Sequence, residues 1–172
     1  MRLHTGEVSV RVPATSANLG PGFDALGLAL AHHDEIEARV VDGDRVTVEV
    51  QGQGAGDLPT GEDHLVVRAV RAGLEHVGAP HVGLHLRCLN RIPHGRGMGS
   101  SAAAVVAGLL IARALVPEPG ALDDVTVLDL ATRFEGHPDN AAPALLGGAT
   151  VAWSDPAGPR ASVLPLRADV EA

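Results

Sequence analysis

The chain has 172 residues, a formal net charge of −8 and 45% hydrophobic residues, the profile of a soluble globular domain that can bury roughly two-thirds of its unfolded surface. The negative balance and only three aromatic rings, Phe23, Phe134 and Trp153, exclude a non-specific nucleic-acid binder, which needs a basic stripe and rings for bases to stack on. No stretch approaches the roughly 20 uninterrupted apolar residues of a membrane span and the start MRLHTGEVSV has no signal-peptide apolar run, so a cytoplasmic protein without nucleic-acid or membrane partners is expected.

Val8, Val10 and Val12 alternate with Ser9 and Arg11, the period of a half-buried strand, which Pro13 is expected to end. Ile36, Ala38 and Val40 alternate with Glu35, Glu37 and Arg39, and Val46, Val48 and Val50 with Thr47, Glu49 and Gln51. Asp42-Gly43-Asp44 lies between these runs and predicts a hairpin with antiparallel pairing. Residues 51–62 are Gly-rich and polar and read as a loop. Leu65, Val66, Ala69, Val70 and Leu74 then recur at helical spacing, with Asp63 as candidate cap. Residues 82–89 read as a strand in which Cys88, the only cysteine, is a small core residue; a single cysteine allows neither an internal disulfide nor a thiolate-rich zinc site. Ser100–Leu115 is apolar nearly all round, as in a helix buried on most sides, and Pro117 and Pro119 end it. Asp123 or Asp124 opens another helical run through Leu128 to Phe134. AAPALLGGATVAW predicts a short helix, a Gly-Gly stop and a strand ending near Trp153.

Hairpins with helices packed to one side indicate an α+β fold rather than a regular βαβ sheet. Residues 162–166 look like the start of one more strand, and a domain cut from a longer protein is expected.

The segment with the most chemistry is Arg91-Ile92-Pro93-His94-Gly95-Arg96-Gly97-Met98-Gly99-Ser100-Ser101-Ala102-Ala103, which joins a predicted strand to the buried helix. Its glycines let the backbone turn tightly and aim successive N–H groups into a concavity. The helix start adds unpaired N–H groups and the positive end of its dipole, and the serines add hydroxyls able to reach a phosphate or Mg²⁺. Gly99 is followed by Ser100 rather than Lys, and Ser100 stands where a dinucleotide fingerprint needs its third glycine, so neither the Walker A nor the Rossmann pattern fits. A glycine turn with a serine cap is the plain alternative.

Two further segments, Pro13-Ala14-Thr15-Ser16-Ala17-Asn18-Leu19-Gly20-Pro21-Gly22-Phe23-Asp24 and Glu135-Gly136-His137-Pro138-Asp139-Asn140-Ala141-Ala142-Pro143-Ala144-Leu145-Leu146-Gly147-Gly148, accompany this loop. With it they resemble the homoserine kinases, a branch of the superfamily that includes galactokinase, mevalonate kinase and phosphomevalonate kinase. The resemblance runs in order from about residue 8 to Trp153. It implies an N-terminal kinase domain with a fold also found in part of a ribosomal protein, spanning 1–172, with a C-terminal ferredoxin-like domain expected beyond it. It implies ATP-dependent phosphorylation of the side-chain hydroxyl of L-homoserine. Pro93 to Ala103 would be the ATP loop, with Pro93, His94, Gly95, Arg96, Gly97, Met98, Gly99, Ser100, Ser101, Ala102 and Ala103 around the nucleotide. Ser101, with Ser100 as the other option, and Glu135 would hold Mg²⁺; Asn18, Asp24, Asp139 and Asn140 would surround homoserine. Asn140, Asp139 and Glu135 would be the catalytic set, Asn140 standing where several relatives carry an Asp proposed as general base. A neutral amide takes no proton.

Each residue has a plain reading as well. Asn18 and Asp24 suit a turn, Asp139 can cap the helix near Asn140, and Glu135 can end a helix in solvent. Met98 replaces the usual Leu at similar volume. The nine histidines do not read as a metal site. His81 and His85 on one strand would stand about 13 Å apart, and His32-His33-Asp34-Glu35 reads as a solvated strand edge. His94 and His137 flank the candidate site. A homodimer is compatible with the sequence. The alternatives to the kinase are a sister kinase acting on another small alcohol and a nucleotide-binding fragment inactive alone.

Overall fold

The computed structural model describes residues 1–166. Six strands, β1 (Val8–Ala17), β2 (Leu26–Val41), β3 (Val46–Gly52), β4 (Gly83–Asn90), β5 (Ala149–Asp155) and β6 (Gly158–Leu164), form one sheet in the order β3-β4-β2-β5-β6, with β1 paired to β2. The helices are α1 (Leu65–His76), α2 (Ser100–Leu115), α3 (Asp124–Glu135) and the short α4 (Ala141–Leu146), with a 3-10 turn at Pro119–Leu122. The α+β expectation holds.

β2 organises the sheet. Its Glu35–Val41 half pairs antiparallel with β4, its Leu26–Leu28 end pairs antiparallel with β5, and β1 follows its other edge. Even-numbered residues of β1, β2 and β4, among them Val12, Ile36, Ala38, Leu84 and Leu86, face the core formed with Val66, Val70, Val105 and Leu109 of α1 and α2. The opposite face carries charges in register, including Glu37 and Arg87 at 3.0 Å. Period-two patterning therefore sorts the two faces as read.

Two expectations about strands change. β1 does not stop at Pro13. It pairs only with β2, so Pro13 lies on an edge strand where a missing donor is tolerated, and a register shift between Pro13 and Thr15 carries it on to Ala17. The predicted hairpin across Asp42–Asp44 is not one either. β4 inserts between β2 and β3, running parallel to β3, and α1 makes the crossover. The turn itself receives the incoming strand: the Gly83 N–H donates to the Gly43 carbonyl at 2.6 Å and the Leu84 N–H to the Arg45 carbonyl at 3.0 Å.

α2 runs through the centre, packed on α1, α3, α4 and β1. Its apolar circumference is thus satisfied on nearly every side. Close approach to α1 depends on two glycines. A Cβ at Gly108 would lie 2.4 Å from the Val66 carbonyl oxygen, and one at Gly73 2.6 Å from Ala112 Cβ. α3 begins at an Asp123 cap, whose carboxylate accepts the Thr126 N–H at 2.8 Å. α1 is capped by His64 without a side-chain bond rather than by Asp63. No helix among the described residues is long and apolar enough to cross a membrane.

Candidate active site

The glycine loop leaves β4 at Asn90 and enters α2 at Ser100. Gly95, Gly97 and Gly99 all have positive φ, 66°, 71° and 64°, the left-handed region that only glycine enters at little cost. His94 to Gly97 are exposed, while Pro93, Met98, Gly99 and Ser100 are half-buried. The N-cap of α2 is Gly99, with no side chain bonded to the helix start. Ser100, Ser101 and Ala102 open a 16-residue helix, and the N–H groups at such a start have no partner inside the helix; the first to find one is that of Ala103, which donates to the Gly99 carbonyl at 2.9 Å. The result is a concavity with donors and a positive dipole end, suited to an anion.

Three contacts tie other segments to this loop. The Thr15 N–H donates to the Met98 carbonyl at 3.1 Å, and Thr15 Oγ1 donates to Asn140 Oδ1 at 2.7 Å. A Cβ at Gly99 would lie 1.9 Å from Thr15 Oγ1 and 3.0 Å from Asn140 Oδ1. The third tie is Ser101 Oγ, which donates to Glu135 Oε1 at 2.6 Å. Glu135 ends α3, where Gly136 in left-handed backbone (φ 88°) turns the chain toward residues 137–140. Gly27 on β2 lets that segment settle on the sheet, since a Cβ there would lie 2.2 Å from the Asp139 carbonyl oxygen. The structure thus brings Thr15, Gly99, Asn140, Ser101 and Glu135 to one place.

Asp139 is fully buried. Its Oδ1 accepts from the Asn140 N–H at 2.9 Å and from His137 Nδ1, and its Oδ2 is buried with no partner. Asn18 and Asp24 adopt the turn reading: Asn18 Oδ1 accepts the Asp24 N–H at 2.8 Å, and both residues have left-handed φ, 58° and 54°. They close an exposed loop in which Phe23 is 71% exposed.

A cavity of about 260 Å³ opens beside Ser100 and Ser101, lined among others by Asp34, Leu58, His64, Leu65 and His94. His64 is 4% exposed and neither ring nitrogen has a partner; burial, with His94 nearby, holds its pKa below the usual histidine range. Asp34, expected on a solvated edge, is 5% exposed. Its Oδ1 accepts the N–H groups of Arg91 and Ile92 at 2.6 and 2.8 Å. Burial raises its pKa although those two bonds oppose the rise. Neighbouring Glu35 is held below the usual carboxylate range by its hydrogen bond with Arg91.

Thr15, Asp34 and His64 were not legible as site residues in the sequence. The signal for Asp34 is its phase: it shares the inward parity of Ile36 and Ala38, and a charge on the buried face of a strand calls for a partner. Thr15 was masked by ending the strand at Pro13. Among the described residues no group of three His, Cys, Asp or Glu side chains gathers as a metal cluster.

Residues 64–148 match the model of the GHMP kinases N terminal domain. The chain is 52% identical over 163 residues to a homoserine kinase of Mycolicibacterium smegmatis, covering 91% of this chain and 51% of that protein. It is 54% identical over 159 residues to a homoserine kinase of Clavibacter michiganensis, covering 92% and 50%. The crystal structure of homoserine kinase from Cytophaga hutchinsonii superposes with a TM-score of 0.76 at 32% identity, over 95% of this chain and 53% of that one. The chain spans about half the length of the curated relatives it matches.

Proposed function

We propose, for a chain whose residues 64–148 match the model of the GHMP kinases N terminal domain, that it is the ATP-holding part of a kinase that phosphorylates the side-chain hydroxyl of L-homoserine. The observation that carries this is the open loop with left-handed Gly95, Gly97 and Gly99 at the uncapped start of α2. It offers N–H donors to a triphosphate, and the cavity beside Ser100 and Ser101 has room for a nucleobase.

Mg²⁺ fits the hydroxyl and carboxylate oxygens that Ser101 and Glu135 place 2.6 Å apart at the loop's edge, since such hard oxygens with remaining waters suit that ion. Bound there, Mg²⁺ offsets charge on the transferring phosphoryl group. Asn140 accepts from Thr15 through Oδ1, which fixes its amide orientation and leaves Nδ2 to donate toward the acceptor hydroxyl. A neutral amide in that position orients the nucleophile without deprotonating it. Transfer then rests on in-line placement and charge stabilisation, the proton leaving late. Asp139 supports Asn140 and His137 from beneath. Within the turn that Asn18 Oδ1 closes by accepting the Asp24 N–H, the Asp24 carboxylate would be the group that takes the amino group of homoserine. The product, O-phospho-L-homoserine, would feed threonine biosynthesis in the cytoplasm.

A panel of small alcohols offered with ATP and Mg²⁺ to the full-length protein tests the reading. Homoserine should give the highest kcat/KM, and a preference for another alcohol by tenfold or more would replace it with a sister kinase. Asp139→Asn should keep partial turnover with a raised KM for homoserine; loss of all transfer with homoserine affinity unchanged would make Asp139 the base. That this chain matches only about half of each relative favours a second reading for the chain alone, a nucleotide binder that does not transfer phosphate. Nucleotide affinity without turnover in this chain, beside turnover in the longer one, would establish it.

A further inference from the structure

Residue 91, where β4 gives way to the glycine loop, is held from β2 at both its amide and its carbonyl. Asp34 Oδ1 accepts the N–H groups of Arg91 and Ile92 at 2.6 and 2.8 Å, and His32 Nε2 donates to the Arg91 carbonyl at 2.8 Å. The Arg91 guanidinium lies 3.0 Å from Glu35. The strand ladder cannot do this work: the last β2–β4 pair is Glu35 with Leu89, so residues 91 and 92 have left the sheet. One carboxylate oxygen replaces the missing ladder partner for two consecutive donors.

A carboxylate is a costly way to fill that position. Asp34 is 5% exposed among inward residues that are otherwise apolar, Ile36 and Ala38, and its desolvation outweighs the relief from its hydrogen bonds. Its geometry accounts for the exception. The loop is tied at its far end by Thr15 to Met98 and at its near end by Asp34, while at Gly95 and Gly97 nothing lies within 4 Å of where a side chain would start. Two fixed ends with an open middle determine where the free N–H groups aim.

We propose that Asp34 is a positioning residue for the nucleotide: by clamping the N–H groups of Arg91 and Ile92 it sets the angle at which the loop leaves the sheet, and so the fit of the loop to a triphosphate. This rests on the ATP reading; Asp34 also lines the cavity beside Ser100 and Ser101, and the role assigned to it is the aim of the loop. Asp34 itself touches no reacting atom.

The test titrates this chain, wild type and variants, with Mg²⁺ and the non-hydrolysable analogue AMP-PNP by calorimetry, with a melting temperature for each. Asp34→Ala should weaken binding about 10- to 30-fold, the scale expected when binding groups are misaimed by a fraction of an ångström to an ångström. Asp34→Asn, which keeps an oxygen able to accept both N–H groups, should stay within about threefold. Leu122→Ala, in the core of the 3-10 turn, should lower the melting temperature and leave affinity unchanged, separating aim from stability. If Asp34→Ala does not fold, Asp34→Ser, too short to reach both donors, takes its place with the same expectation. Affinity within twofold of wild type in the Ala or Ser variant, or an equal loss in Leu122→Ala, overturns the clamp alone. No binding by the wild type would overturn the ATP reading and the clamp together.

Discussion

At Gly99 one missing methyl group decides whether three segments can meet. A Cβ there would collide with Thr15 Oγ1 at 1.9 Å, and the backbone stands at φ 64°. Left-handed backbone costs a substituted residue roughly 1–2 kcal/mol and the collision adds to it, whereas the gain from a stiffer unfolded chain is only about 0.4–1 kcal/mol. Gly99→Ala should therefore destabilise the fold by about 2–3 kcal/mol in urea denaturation and abolish AMP-PNP binding; a variant as stable as wild type would contradict the packing described. His64 makes a different prediction. Burial depresses its pKa in the folded state, so both states are neutral above about 6.5 and stability is flat there. As pH falls through that value the unfolded chain takes up a proton that the folded one resists, and stability is lost by up to about 1.4 kcal/mol per pH unit. His64→Asn should flatten this acid limb between pH 6.5 and 5.5 in denaturation midpoints; an unchanged slope would place the titration elsewhere. Residues inside contiguous motifs, such as Ser101, Glu135 and Asn140, could be named from sequence because their neighbours along the chain carry the pattern. Asp34 and His64 could not, because what makes them notable is burial and orphaned nitrogens, properties that long-range packing creates.

Among the elements, α2 was readable to its ends: an apolar run of this length between a glycine loop and Pro117 leaves few other solutions. Its partner was less so, because a helix's own periodicity says nothing about how close a neighbour comes. The α1–α2 crossing is set by Gly108 against the Val66 carbonyl and Gly73 against Ala112. Gly108→Ala gains about 1 kcal/mol of helix propensity but overpacks a contact of 2.4 Å against backbone that cannot rotate away, at about 1–3 kcal/mol. The second effect should win, lowering the melting temperature by several degrees, while an exposed Gly120→Ala in the 3-10 turn, where nothing lies within 4 Å, should change little. A melting temperature raised in Gly108→Ala would show that the helices separate freely. The hairpin misreading has the same origin. Asp42-Gly43 does reverse the chain, and β2 and β3 do run antiparallel, but local turn chemistry cannot announce that a strand 40 residues later will lie between them.

For the molecule as a whole, β2 gathers much of the site: Asp34 at its middle holds the loop's entry, its Gly27 end receives residues 139–143, and β1 along its edge brings Thr15. The placement of β4 has a cost in time. Segments 35–41 and 46–52 are synthesised first, joined by a reversal that would let them pair directly, and such a ladder would occupy the edges that residues 83–90 must later share. The expected outcome is a kinetic competitor carried by the chain itself, cleared when the crossover helix delivers its strand. A fragment ending at residue 82 should slow amide exchange across the facing edges of those two segments, and pulse-labelled refolding of the whole chain should show that protection rise and then fall. Monotonic acquisition of the final pattern would mean that the slot stays open from the start.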